Sequence, residues 1–485
     1  MIARRATDRT KGTIVGHSEV MNSDRRASAA HLFWRAGMGL SPAELIEREG
    51  RSHAELVDEL FPGSNTWEPI AVGHVNTTRE QYRRMKPTEQ ARLRRANRQN
   101  TILLNLRWFE RLTGPEDRLR EKMALFWHGH FACWSHWSRG NEHYMNTLRE
   151  HALGNFGELL KAVSRAPAML EYLNNQQNRK DAPNENFARE VMELFTLGRG
   201  HYTEQDIQEA ARAFTGWGFD RASGDFEFRE QWHDGGEKTF RGATGNFDGD
   251  AILDAILADP QCALFICRKI YRGFVNVEVD DDFVQRMAHR FRESGLDIED
   301  LLRFVFMSEE FMSPHNRGAR IKSPIDLLAG IGRLFSVNYL DDDTPIFLQH
   351  ALGQVLLRPP SVAGWTEGRG WIDSNSLMLR IKLPSALLNN GVLDADDPEE
   401  APEDVDLQMQ GAGDAPMRDV RGRILKVASD RAALLAQLPK ACTDRELCDL
   451  LLQVDPTPAL LAELAGRDDM DRVLLILSSP EYQLC

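Results

Sequence analysis

Residues 183–217, PNENFAREVMELFTLGRGHYTEQDIQEAARAFTGW, read as helix, glycine break, helix. Asn184 is placed to cap the first helix and Gly198 to end it with a positive φ. Thr203 followed three residues later by Asp206 starts the second helix as a capping box. Phe187, Val191, Leu194 and Phe195 recur at helical spacing, with Met192 and Leu197 off that stripe. Such a helix is expected to be buried around much of its circumference. Glu190 and Glu193, one turn apart on it, would then require a cation, a metal or a proton.

Upstream, 118–137 (RLREKMALFWHGHFACWSHW) carries Leu119, Met123, Phe126 and Trp127 on one side of a helix. His128 and His130 flank Gly129. In extended backbone an HxH pair converges on one metal, whereas in a continuing helix the two rings point apart. Gly129 makes a break plausible. Glu121 stands two turns before His128 on its face, as a third ligand or a ligand's partner. Glutamates and histidines from several helices are how bundles build carboxylate metal sites, so His128, His130, Glu190, Glu193 and Glu121 form the candidate ligand set. The plain alternative is that each Glu meets an arginine such as Arg189, Arg199 or Arg212.

Downstream, His233, Asp234 and Lys238 make a compact polar triple beside Gly235 and Gly236, a candidate acid/base or substrate-anchoring group. An Asp-Gly turn with exposed neighbours is its plain alternative. Phe226 and Phe228 alternate, and the glycine pair is expected to turn a hairpin. Trp365 and Trp371, in a glycine-rich loop, offer faces for a sugar or ring, or simple loop packing.

The remaining chain supplies helical patterns and few signs of β structure. Helices are expected after Ser41-Pro42, at 250–258, 260–274, 281–294, 297–308 and 324–336, and at 374–389. The fold class is therefore mainly α: a multi-helix globular domain with at most a short β-hairpin near 224–242. Residues 1–27 read as a disordered segment and 28–485 as a single helical domain. Within it, 391–420 holds ten acidic residues and one arginine, the mark of a flexible loop, and a helical tail at 421–485 follows.

Composition narrows the function classes. The 485 residues are 42% hydrophobic and 27% charged, ordinary for a globular protein. A net charge of −14 argues against a nucleic-acid or anionic-membrane partner. The arginine-rich 79–122 is best read as a solvated helix face. Six cysteines without a CxxC pair suggest reduced, buried thiols. There is no apolar signal segment and no run of about 18 apolar residues. A cytoplasmic protein is the expectation, or a periplasmic one if the true start differs. The sequences GxGxxG, GxxxxGK[ST], HExxH and GxSxG do not occur.

Taken together, EKMALFWHGHF, NTLREHALGNFGELLKAV, PAMLEYLNN, the 183–217 stretch, HDGGEKTFRG, RIKSP, LGQVLLRPPSVAGW and LSSPEYQ resemble the bacterial family called domain of unknown function 1800. The resemblance runs from about His31 to the C-terminus and implies that the tail belongs to the same domain. It implies no particular reaction. It does imply frequent export, which this chain lacks a signal for, and frequent pairing with an alkaline-phosphatase-like partner protein. The family's motifs emphasise His128, His130, Glu185, Glu190, Glu193, His233, Asp234 and Lys238.

The first expectation is thus a metal-dependent enzyme using iron, manganese or zinc, with oxidoreductase chemistry ahead of hydrolysis because helix-bundle His/Glu sites often hold iron. The second is a non-catalytic binding or assembly protein whose buried His/Glu/Arg network is structural. A third is a hydrolase acting on a carbohydrate, with Glu190 and Glu193 as paired carboxylates.

Overall fold

The computed structural model describes residues 12–61, 63, 67–74, 77–389, 391–393 and 423–485. It is mainly helical, and its most chemically loaded helix lies upstream of the stretch that anchors the sequence. Ten of the thirteen residues of Arg118–His130 are buried, charged Arg120, Glu121 and Lys122 among them. The helices Gly12–Gly37, Pro87–Thr113 and Ser138–Glu150 pack around it. Pro324–Leu334 closes on Pro87–Thr113 from the other side.

Local signals place most of these helices. Ser41, Ser52, Thr78, Thr203, Ser323 and Thr443 each accept a backbone N–H and each belongs to a capping box. Proline opens Pro42–Glu47, Pro87–Thr113, Pro260–Phe274 and Pro324–Leu334, where its missing N–H costs nothing. Gly12–Gly37 is helical, so 12–27 does not form the disordered segment expected there. From Arg25 on, the first buried residue of this helix is Ala29, and residues 1–11 lie outside the described residues.

The 183–217 stretch departs from a plain helix pair. Asn186–Glu190 is α-helical, but Val191–Thr196 is a π-helix, in which Leu197 N–H donates to Met192 O across five residues (2.9 Å). Thr196 Oγ1 donates to Val191 O (2.6 Å), and Gly198, at φ +85°, ends the element as expected. The N-cap residue is Glu185, not Asn184. Asn184 Oδ1 instead accepts from Asn186 N–H (3.0 Å).

Strand structure exceeds the expected single hairpin. Among the described residues there are four two-stranded antiparallel pairs. Trp217–Phe219 pairs with Phe226–Phe228, and Lys238–Phe240 with Ala243–Gly245. The other two are Asn338–Tyr339 with Val427–Ala428 and Val392–Leu393 with Arg423–Ile424. Gly235-Gly236 is not the turn of a hairpin. The second hairpin turns at Arg241-Gly242, with φ +49° and +82°, the two successive positive values a tight hairpin demands.

The C-terminal tail is stitched into the body. Arg320 and Cys485 exchange backbone bonds (3.1 and 2.8 Å), and Lys322 N–H donates to Gln483 O (2.8 Å). Asp444–Leu451 packs on Gly12–Gly37, and Asp469–Leu477 on Ser374–Asn389. All six cysteines are free, and only Cys442 is not buried. Arg83, Arg84, Lys86, Arg92 and Arg94 are exposed, the solvated face expected there. Of the acidic 391–420 segment, 394–420 lie outside the described residues.

Candidate functional site

The helix Arg118–His130 continues through Gly129, so the HxH pair takes the diverging geometry. Two residues apart on a helix means about 200° of rotation. His128 is fully buried. Its Nε2 accepts from Leu357 N–H (3.0 Å), which puts its proton on Nδ1. The rings of Trp108, Tyr144 and Trp365 surround it at 5.0–5.7 Å. His130 is the opposite tautomer, with Nε2–H donating to Phe195 O (3.0 Å) amid Phe126, Phe131 and Phe265. Burial pushes both imidazoles down to about 3, so both are neutral at physiological pH.

The three glutamates separate as well. Glu121 is buried and takes Arg149 through Nε (3.0 Å to each oxygen) and a terminal nitrogen (2.7 Å), while Trp108 Nε1 donates to it at 3.0 Å. Glu193 is only half-buried. Tyr202 Oη (2.6 Å) and Arg199 Nε (2.5 Å) both donate to it and hold its carboxyl below the usual range. Glu190 is half-buried too, and it has no protein hydrogen-bond donor among the described residues. Partial burial, then the neighbouring Glu193 charge, raises its pKa. Both carboxylates are thus partly exposed, on a helix whose apolar pattern led to the expectation of burial around much of its circumference. Among the described residues no group of three or more His, Cys, Asp or Glu side chains is disposed to hold a metal ion.

His233, Asp234 and Lys238 do come together, as a knot in the backbone. Lys238 is buried, and its Nζ donates to Asp234 O (2.6 Å) and Gly236 O (3.0 Å). Asp234 meets Arg212 Nε (2.7 Å), which lowers its pKa, and its Oδ1 caps Gly236 N–H (2.9 Å). His233 Nδ1 donates to Thr215 O (2.9 Å). The sequence also hid an asparagine web beneath this region. Asn178 donates to Asn175 Oδ1 (3.1 Å) and Ala211 O (2.8 Å) and accepts from Asn184 N–H (2.9 Å). That web ties the 175–186 loop to the Glu204–Ala213 helix.

A different set of side chains lines a cleft of about 120 Å³. Its walls come from Arg118–His130, Pro260–Phe274, the start of Pro324–Leu334 and the loop around 363–371. Lys122, Lys269 and Arg320 bring positive charge to it, and Asp326 and Glu367 bring negative charge. Lys122 is ion-paired to Asp326, whose pKa stays low against its burial because of that partner and the Arg320 charge. Arg320 donates to Gly273 O and leaves its Nε, buried, without a partner. Lys269 is half-buried, and burial lowers its pKa. Trp365, Trp371, Phe126 and one edge of His130 supply flat apolar surface.

Behind the floor the chain is packed with cations. Lys322 is buried between the rings of Trp34 (3.7 Å) and Tyr482 (3.6 Å), donates to Tyr482 O (2.5 Å), and is pushed down to about 7 by burial. Arg380, fully buried, donates to Lys322 O (3.0 Å).

Residues 31–484 match the family model described as protein of unknown function (DUF1800). The chain belongs to the DUF1800 family. No curated protein and no solved structure matches it. The family motifs map unevenly onto the geometry of this DUF1800 chain. WHGHF contributes His130 to the cleft, and RIKSP contributes Arg320 and Ser323. The PSVAGW segment contributes Ala363 and Trp365. By contrast, Glu121, Glu190, Glu193, His233, Asp234 and Lys238 do not line it. Lys122, Lys269 and Asp326 escaped the sequence reading. The available signal was charge inside otherwise apolar helices, as in EKMALFW and FICRKIY.

Proposed function

We propose that this DUF1800 protein is a binding protein whose cleft takes a small organic anion carrying a flat ring. The observation that carries the reading is the cleft's composition: Lys122, Lys269 and Arg320 against Asp326 and Glu367, roofed by Trp365 and Trp371. Lys122 is neutralised by Asp326, whereas Lys269 has no carboxylate within ion-pairing distance among the described residues. The anionic group would meet Lys269 and Arg320, and the ring would lie on Trp365. Few polar groups among apolar walls is the usual make-up of a small-molecule site.

What supports binding over a metal-dependent enzyme is the placement of the five candidate ligands. Glu121 and Glu193 each meet an arginine, and His128 and His130 each bond a backbone group on opposite sides of one helix. Glu190, with no donor among the described residues, is the one of the five that no such partner accounts for.

Isothermal titration with phenyl phosphate, benzoate and uncharged benzyl alcohol tests the proposal. Phenyl phosphate or benzoate should bind, and benzyl alcohol should bind at least about ten-fold more weakly, ~1.4 kcal/mol. Lys269→Ala and Trp365→Ala should each weaken the anion by a similar factor. Binding insensitive to both substitutions, or none at all, overturns the reading. Stoichiometric metal that disappears in a His128→Ala, His130→Ala protein would restore the metal-dependent one.

A further inference from the structure

His128 is buried and, among the described residues, makes its one hydrogen bond with a backbone group far along the chain. Leu357 N–H donates to its Nε2 at 3.0 Å, linking Arg118–His130 to the segment that leads into the cleft wall. Leu357 itself has φ +63° and is fully buried. A branched hydrophobe in the left-handed region is strained and persists only where its surroundings over-determine it. Two attachments do so here. Leu356, the residue before, is held through Asn105 Nδ2 donating to its carbonyl (2.9 Å) and through its own N–H donating to Gln349 Oε1 (3.0 Å). His128 accepts from the Leu357 N–H, the other end of the same 356–357 peptide whose carbonyl Asn105 holds.

The same imidazole touches the far end of the loop. Trp365 stands edge-on to the His128 ring, 5.0 Å between centroids at 77°. Gly364, at φ +82°, presses on the backbone beside His128: a Cβ there would lie 2.3 Å from Gly129 O. Pro359 and Pro360 stiffen the span between. The cleft wall at Trp365 is therefore seated on His128 at both of its roots.

We propose that His128 is a positioning residue, whose imidazole latches the 357–365 loop to the Arg118–His130 helix and thereby sets the Trp365 wall of the cleft. Its functional meaning rests on the cleft being the ligand site, but the latch is read without ligand, so the two can fail separately. The groups facing His128 are Trp108, Tyr144 and Trp365, all aromatic, and the Leu357 amide. A residue that only fills this space would be indifferent to where a replacement puts its acceptor.

The test compares His128→Gln with His128→Asn in the full-length chain. The glutamine carbonyl reaches where Nε2 stands, and the shorter asparagine carbonyl does not. Hydrogen exchange across 357–366 and the 19F resonance of Trp365 in 5-fluorotryptophan-labelled protein are the readouts, the resonance being assigned with Trp365→Phe. His128→Asn should speed exchange in that segment by about ten-fold, leave 118–130 protected and move the Trp365 resonance. His128→Gln should restore both. Gly364→Ala, which leaves His128 intact, should also move the resonance, while Gly129→Ala, whose Cβ meets open space, should not. Identical behaviour of the Asn and Gln variants, or an exchange increase spread evenly over the chain, overturns the proposal. So does an unmoved Trp365 resonance in Gly364→Ala.

Discussion

Two histidines separated by one glycine take opposite tautomers here because each finds a different backbone partner. His128 accepts from Leu357 N–H, and His130 donates to Phe195 O. Their burial has a consequence for pH. Both are held neutral down to about 3, whereas in the unfolded chain each protonates near its ordinary value of about 6.5. Between those values the unfolded chain binds more protons than the folded one, so stability rises with pH and falls on acidification. The slope approaches ~1.4 kcal/mol per pH unit for each histidine. Urea midpoints across this window should fall more steeply with acid in wild type than in His128→Gln, His130→Gln. Parallel curves would mean that the imidazoles are not neutral in the folded protein. The candidate residues themselves were legible in the sequence, since WHGHF is conspicuous. Their roles were not, because a tautomer is decided by partners 65 and 229 positions away.

At the scale of helices, the two carboxylate-bearing elements contrast. Arg118–His130 buries Glu121 against Arg149 with both side chains nearly inaccessible, at 3% and 2% exposure. In the π-helical element Glu193 pairs with an Arg199 that is 83% exposed. Removing one partner of a buried pair strands the other charge and costs about 3–5 kcal/mol, whereas an exposed pair contributes ~1 kcal/mol or less. Glu121→Ala should therefore lower chemical stability by about 3–5 kcal/mol. Glu193→Ala should change it by no more than ~1 kcal/mol. Denaturant titration of both variants checks this, and equal losses would contradict the burial difference. Helix boundaries were the most legible feature of this chain. Thr203 caps where its capping-box pattern says it should, and helices open after Ser41 and Ser323 as expected. The π turn at Val191–Thr196 was not legible, since it rests on a Thr196 bond to Val191 O and on the packing of Gly198 against Phe265.

For the whole molecule, the tail at 423–485 and the body share a core. Tyr482 is buried against Trp34 and Lys322, joining the chain's last turn to its first described helix and to the RIKSP segment. We expect one cooperative unit from 28 to 485. Near-ultraviolet and far-ultraviolet signals should give coincident unfolding in wild type. Tyr482→Ala, losing about 3–5 kcal/mol of buried aromatic packing, should move the single transition without splitting it. A separate early transition of the tail would show two units. No helix among the described residues is long and apolar enough to cross a membrane.

What the sequence by itself determined is what short-range chemistry controls: a mainly helical chain, the places where its helices start, the polar clusters worth examining and the family they belong to. Caps, prolines and helical spacing act within a few residues, so they survive being read from a string. The tertiary structure alone decided which polar residues face a cleft and which are tied into the frame. Lys122, Lys269, Arg320, Asp326 and Trp365 converge from four segments between positions 122 and 371. Glu121, one residue before Lys122, turns instead to Arg149. Adjacent residues on a helix point about 100° apart, so one belongs to the cleft and the other to the core. That division depends on what each face packs against, which no local pattern records.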